Sequence, residues 1–598
     1  MYGGYPSPAL TATHYYVKFS PSNLTQLAAL EDEDIDLTSF PLDKELIFEG
    51  DYYLQPGKTL EDLPELWAVV PVGYIFPTAI PHTIITEMHI PDDAPIIEDE
   101  ALYLTGNLGD TPLDYKITNG DKSYLDTRLR RMTTIRDMDC GCTCPNPNEE
   151  CLLPAHCFDP YNICTNTGGG SSTNCNNYPK GKILVQNKLA TDLFYRGVRN
   201  ARVVIRRIFK VERVFTDDNG NFATTKYFRN KYSILTKFKN QFARIGRMRR
   251  WAIWEQYFPI KINFGKWKNL DCGHEFKIDN PTATSTIQTS HWAAAATLNA
   301  VQEHREMSIQ EGVGVPLQHL HILLSSERNA NNGNTYMTNK ILASGGIVPY
   351  VLITGAASSA LGIIPLAGPV LAPIVVAVAA LWAVRAPDIV FGYGGSYTSF
   401  LATDQYCELV YHELTHAAHY TQVGNAWWIQ LGLDEKYNTG DGSYGACCQT
   451  RSKKIAVAES WAYHIGQYLA NKKWGLQCTT FPEQGSDISN FVNVLYFSAS
   501  TGKSSKENFL EDFNPNRNVM LDPNRWLAKG LYNDMIDGGL ESSNSGIIDN
   551  VSGFTNQQFY QALQNDVNSM SDYKAKFLQQ NNFLQQTQIN ALFTEYGY

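Results

Sequence analysis

The sequence predicts a multidomain α+β protein, β-rich in its N-terminal part and mainly helical beyond it. Three observations support this. The 598 residues exceed what a single hydrophobic core organises. Alternating apolar runs separated by turn residues recur up to about residue 272, and from about residue 275 the apolar period becomes helical. Hydrophobic residues make up 43% and charged residues 18%, the balance of a folded chain.

Residues 1–139 form an acidic, β-leaning region in which Pro is frequent and helical periods are few. Trp67 to Ile85 is apolar and punctuated by Pro, as in short strands joined by turns, and Leu125 to Met138 reads as a short helix. Residues 140–179 are a Cys-rich loop holding Cys140, Cys142, Cys144, Cys151, Cys157, Cys164 and Cys175 among Pro, Asn, Gly and Ser. So little apolar content cannot build a core. The expectation is cross-linking by disulfides in an oxidising compartment, with a second metal as the alternative. The first thirty residues contain no uninterrupted apolar stretch of signal-peptide type.

Charge is unevenly spread along the chain. Residues 1–179 carry 27 acidic and 9 basic side chains, and residues 180–250 carry 4 acidic and 19 basic. Arg202, Arg206, Arg207, Arg247, Arg249 and Arg250 stand out in the basic stretch. Two readings follow: docking against the acidic region, or contact with an anionic glycan or lipopolysaccharide. The net charge of −11 and the absence of any RNA- or DNA-binding motif argue against specific nucleic-acid recognition.

Within 180–272, strands are expected at Lys182–Val185, Ala201–Ile208 and Tyr232–Phe238. Thr216 to Phe222 encloses Asp-Asp-Asn-Gly-Asn, a tight hairpin whose Asn-Gly supplies the positive φ that the turn demands. With Gly197-Val198-Arg199-Asn200-Ala201, this segment resembles the carboxypeptidase regulatory-like, transthyretin-like module. The resemblance covers about 90 residues. It implies a non-catalytic β-sandwich of the kind that accompanies secreted and surface proteins, peptidases among them.

Residues 273–598 read as one further domain. An Ala-rich helix at Ser290–Ile309 precedes strands at Leu317–Leu324 and Pro387–Gly392. Asp404 is placed to N-cap a helix that runs to Val423 and stops at Gly424. Another helix spans about Ile455–Asn471, and the part from Asn524 onward is helical. The strand PDIVFG is expected at a sheet edge, where an extended peptide would pair.

Residues 411–420 read YHELTHAAHY. On a helix His412 and His416 are one turn apart on one face, so both imidazoles can reach one tetrahedral zinc ion. Glu413 stands beside them as a general base for a water activated by the metal. A catalytic zinc needs a third protein ligand. The metzincin pattern is excluded, because Gln422 stands where that family has its third histidine. Between the motif and residue 480 the only glutamates are Glu435, in a Gly-, Asp- and Asn-rich stretch, and Glu459, in the helical VAESWAYHIGQYLA. Asp441 in GDGSYG and His419 are rival third ligands, and Tyr444, Tyr463 and His464 are candidate oxyanion stabilisers.

HExxH followed by a helix-borne glutamate 43 residues after His416 resembles the gluzincin metallopeptidases. The resemblance implies a zincin-like catalytic domain with His412, His416 and Glu459 on the zinc and Glu413 as base. The helix of Glu459 lacks the NExxSD pattern of the thermolysin type, which leaves the subfamily open. The expectation is a secreted or cell-surface zinc metallopeptidase acting on a peptide or protein substrate, with Tyr463 and His464 assisting Glu413.

Residues 341–384 form an insert without a charged side chain. Pro349, Pro365, Pro369 and Pro373 divide it into pieces shorter than the ~20 residues of a membrane span. It reads as a buried hairpin, or, in a toxin or effector, as a hairpin at 347–384 that inserts in lipid. A third reading is a non-catalytic surface protein with a structural zinc. Glu413 argues against that, because a structural site needs no base.

Overall fold

The computed structural model describes residues 11–23, 65–89, 178–189, 193–207, 210–228, 232–248, 258–267, 274–281, 286–329, 333–337, 340–341, 387–394, 403–439, 450–474, 527–536 and 550–598, with a few single positions between 26 and 63. The Cys-rich loop, the helix expected at Leu125 to Met138, insert residues 342–384, Asp441, Tyr444, Arg249 and Arg250 lie outside them. The chain divides into two compact, interleaved units. The first comprises Met1–Leu184, Gly197–Lys237 and Lys261–Lys277; the second comprises Val185–Arg196, Phe238–Ile260 and Ile278–Tyr598. Strands and helices both contribute, so the fold is mixed α+β.

The first unit is built from strands. β1 (His14–Phe19) is the centre of a three-stranded antiparallel sheet, paired with β2 (Leu66–Pro71) and β3 (His82–Met88). The run from Trp67 to Ile85 is thus strand, turn and strand, as its prolines suggest. Next come β4 (Lys180–Lys188), β5 (Leu193–Gly197), β6 (Arg202–Arg207), β7 (Lys210–Phe215), β8 (Asn221–Ala223) and β9 (Tyr232–Lys237). β10 (Ala243–Met248), which with most of β5 belongs to the second unit, β11 (Lys261–Trp267) and β12 (Glu275–Ile278) follow. One sheet runs β11-β9-β6-β7; in another, β4 lies between β12 and β5 and also pairs with β8. Tyr232, Ile234 and Thr236 alternate into the core along β9, and Val203, Val204 and Ile205 are all buried in β6. The hairpin before β8 closes as the Asn-Gly dipeptide requires. Asp217 Oδ1 accepts the backbone N–H groups of Asn219 and Asn221 at 2.9 and 2.7 Å. Gly220 has φ +82°, and a Cβ there would lie 2.2 Å from the Ile183 carbonyl oxygen.

The second unit places helices against a mixed sheet. Its first long helix, α1 (Thr286–Glu311), is buried nearly all round, because Ala293 to Ala296 let neighbours approach closely. β13 (Leu320–Asn329) runs parallel to β10 and to β15 (Ile389–Gly394). The short β14 (Gly333–Thr335) adds antiparallel to β15, giving the order β10-β13-β15-β14. The strand of PDIVFG is therefore internal, and among the described residues β14 is at the edge. Ile389, Val390 and Phe391 are all fully buried, the continuous apolar run of a strand covered on both faces rather than of an edge.

The helix of the HExxH motif, α2 (Thr403–Thr439), starts one residue before the expected cap, with Asp404 in its first turn. It breaks at Gly424 (φ 77°), where the sequence places its stop, and resumes as a second helical segment to Thr439. α3 (Ser452–Trp474) packs along α2. α4 (Leu531–Asp534), α5 (Asn556–Ala562), α6 (Met570–Gln580) and α7 (Gln586–Glu595) complete the unit. α5 begins in a capping box between Thr555 and Gln558, which satisfies two otherwise unpaired N–H groups. Among the described residues no helix is long and apolar enough to cross a membrane.

Candidate metal centre

His412 and His416 lie one turn apart on the first segment of α2, with Nε2 atoms 3.1 Å from each other. α3 brings in Glu459, whose Oε2 is 3.4 Å from His412 Nε2 and whose Oε1 is 3.2 Å from His416 Nε2. These three form a buried group whose ligand atoms all fall within 4.8 Å of one another. A tetrahedral zinc with Zn–N and Zn–O bonds of about 2.0–2.1 Å spaces its ligand atoms roughly 3.3–3.4 Å apart. The Nε2–Nε2 separation is close to that spacing, and the carboxylate offers one oxygen to each imidazole at a similar distance. Two imidazoles and a carboxylate are also the donor set that zinc takes in catalytic sites. The residues fit the ion.

The helix positions explain the convergence. Glu459, Tyr463 and Gly466 follow one another at four and three residues along one stripe of α3. A Cβ on Gly466 would stand 3.1 Å from the Cα and Cβ of His412, so this glycine permits the close approach of α3 to α2. Tyr463 sits half-buried one turn from Glu459, with its ring 4.6 Å from that of His412 and edge-on to it. The buried Lys529 places its ammonium 4.4 Å from the centre of the Tyr463 ring.

Glu413 reaches the edge strand β14 while interacting electrostatically with His412, His416 and Glu459. It is 4% exposed, and the Thr335 hydroxyl at the edge strand lies 2.7 Å from its Oε2 and 2.8 Å from its backbone oxygen. Burial pushes the Glu413 carboxyl above the usual range, against the lowering effect of the two histidines and of Thr335. Burial disfavours the charged form of His416, but the Glu459 carboxylate outweighs it and lifts the imidazole to about 9. Glu459 is itself held well below the carboxylate range: burial works against ionisation, and the histidine contacts overcome it.

Glu435 lies on the helical segment after Gly424, not in a loop. Burial, and then the charges of Glu459 and Glu413, push its carboxyl up to about 8. The expectation of a loop there came from the Gly- and Asn-rich residues that follow it, which the helix precedes. His419 does not join the ligand group. It is buried with its ring 4.8 Å from Trp427 and 6.0 Å from Trp428, and burial pulls it down to about 3, so it stays neutral. His464 is not brought to the group either. Five residues from Glu459, it leaves the ligand stripe of α3, and its Nε2 donates to Asn556 Oδ1 at 2.8 Å among Tyr532 and Phe559.

A buried charge network props up the motif helix from behind. Glu303 of α1 is ion-paired with Arg196 and with Lys473 of α3, and accepts the Tyr411 hydroxyl at 2.7 Å. His304 donates from Nε2 to Thr415 Oγ1 at 3.1 Å, and Thr415 donates in turn to the Tyr411 carbonyl. The residue before each motif histidine is thereby tied to α1. Thr335 and Gly333 are absent from the sequence reading, because Asn-Asn-Gly-Asn-Thr reads as a turn and carries no strand period. Comparison with protein-family models, with curated proteins and with solved structures finds no match to this chain.

Proposed function

We propose that the chain is a zinc-dependent peptidase whose catalytic centre is His412, His416, Glu459 and Glu413. The β-rich part of the chain would then precede a mainly helical catalytic domain. The observation that carries the reading is the convergence of two imidazoles and a carboxylate, their ligand atoms within 4.8 Å of one another, with a buried glutamate adjacent in sequence. A zinc ion held by His412, His416 and Glu459 supplies Lewis acidity toward a substrate carbonyl and acidifies water. Glu413 takes up the proton from the attacking water and delivers it to the leaving amine; its raised affinity for protons suits a group that must both accept and release one near neutral pH. Tyr463, against His412, is the candidate to steady the oxyanion, and His464 carries no such role. Among the described residues β14 ends the sheet, and we place an extended peptide substrate along that edge. The gluzincin resemblance supports the same assignment; secretion or surface display remains part of the proposal.

The test is hydrolysis of a quenched fluorescent peptide library by the wild type beside Glu413→Gln, with zinc measured in both. The reading expects equal zinc and a loss of about 10²–10⁴-fold in rate, the contribution of a general base. Equal rates in the two proteins would remove Glu413 from the chemistry and the peptidase reading with it.

A further inference from the structure

We propose that β14 is a clamp on Glu413: Thr335 positions the carboxylate through its hydroxyl, and Gly333 leaves the space in which the side chain lies. The inference rests on the peptidase reading and adds to it a positioning residue on a strand that the HExxH motif does not contain. Residues i and i+2 of a strand face the same way, so Gly333 and Thr335 share the side of β14 that meets α2, and Asn334 faces the other. Thr335 Oγ1 is 2.7 Å from Glu413 Oε2. A Cβ on Gly333 would stand 2.7 Å from both Cγ and Oε1 of Glu413, nearer than any side chain tolerates. One residue therefore holds one carboxylate oxygen, and the other has no atom where the carboxylate sits.

The clamp is itself anchored. β14 pairs with β15 from Gly333↔Phe391 to Thr335↔Ile389, and Ile389, Val390 and Phe391 are fully buried. Just beyond the strand, the N–H groups of Tyr336 and Met337 both donate to the Asp388 carbonyl, at 2.8 and 3.0 Å. A glutamate side chain has three rotatable bonds, and a base that wanders among rotamers is seldom aligned for proton transfer. Misplacement of a reacting group by an ångström costs about 10²-fold in rate. Thr335 restricts that wandering from a strand that lies outside the HExxH helix.

The experiment pairs kinetics with a readout that needs no activity. Thr335→Val keeps the shape and removes the hydroxyl; Thr335→Ser restores it. The clamp predicts that Thr335→Val lowers kcat by about 10- to 100-fold with zinc content unchanged and KM within about twofold, and that Thr335→Ser recovers most of kcat. In chelator-stripped protein, urea unfolding of Thr335→Val, Glu413→Ala and the double variant gives the coupling between the two positions. Thr335→Val should destabilise the wild type more than the Glu413→Ala background. Equal losses in both backgrounds, or a Thr335→Val enzyme with wild-type kcat, would overturn the clamp and leave the peptidase standing. A wild type without hydrolysis but with coupled unfolding would overturn the peptidase while supporting the clamp.

Discussion

At the scale of single residues, the pairing of His416 with Glu459 sets the pH behaviour. His416 is lifted to about 9 when no metal competes for its lone pair. In an unfolded chain a histidine titrates near about 6.5. The folded-state value is raised, so the pairing stabilises the metal-stripped protein fully below about 6.5 and less as the pH climbs toward 9. Thermal melts of chelator-treated protein should therefore show a falling Tm between those limits, with a flatter profile in Glu459→Gln. Zinc binding must displace the same proton. Calorimetry at pH 7 in buffers of different ionisation enthalpy should register release of about one proton per ion. The approach of His412 to His416 was legible in the sequence, because an i, i+4 histidine pair needs only helical geometry to share a face. Glu459 was legible as the remaining helix-borne glutamate. His464 misled because a histidine five residues from a ligand lies off the ligand stripe, where Asn556 binds it.

At the scale of elements, the centre depends on how closely α2 and α3 approach. Gly466 faces His412 with no room for a larger side chain. Gly466→Val should cost about 1–3 kcal/mol through overpacking and weaken zinc binding by shifting Glu459, as read from urea denaturation and zinc titration. Behind α2, Glu303 neutralises Arg196 and Lys473 in the interior. Glu303→Ala strands the Arg196 guanidinium, while the exposed Lys473 can turn to water, and should lower stability by about 3–5 kcal/mol in the same denaturation experiment. The helices and the break at Gly424 followed from period and capping chemistry. The sheet order did not, since an apolar run specifies a strand and not its neighbours. β15 was expected at the edge, and three polar residues of Asn-rich sequence hold that place instead. Three residues are too few to show a period.

At the scale of the whole molecule, a site whose ligands come from two helices far apart in sequence links metal binding to the stability of the unit that contains it. Zinc at a thousand times its Kd adds about 4 kcal/mol to the folded state. Chelation should therefore lower the Tm of the wild type and of Glu413→Gln alike, and leave Glu459→Ala unmoved. That strands and helices both contribute was readable from hydrophobic period. The interleaving of the two units was not, since it depends on long-range pairings such as β10 with β13 that no local pattern records. The claim on which the rest depends is the three-residue ligand set, and zinc stoichiometry tests it most directly. Elemental analysis after dialysis against nanomolar zinc should find one ion per chain in the wild type and in Glu413→Gln, and none in His412→Ala, His416→Ala or Glu459→Ala. Zinc retained undiminished by Glu459→Ala, or absent from the wild type, would contradict the account.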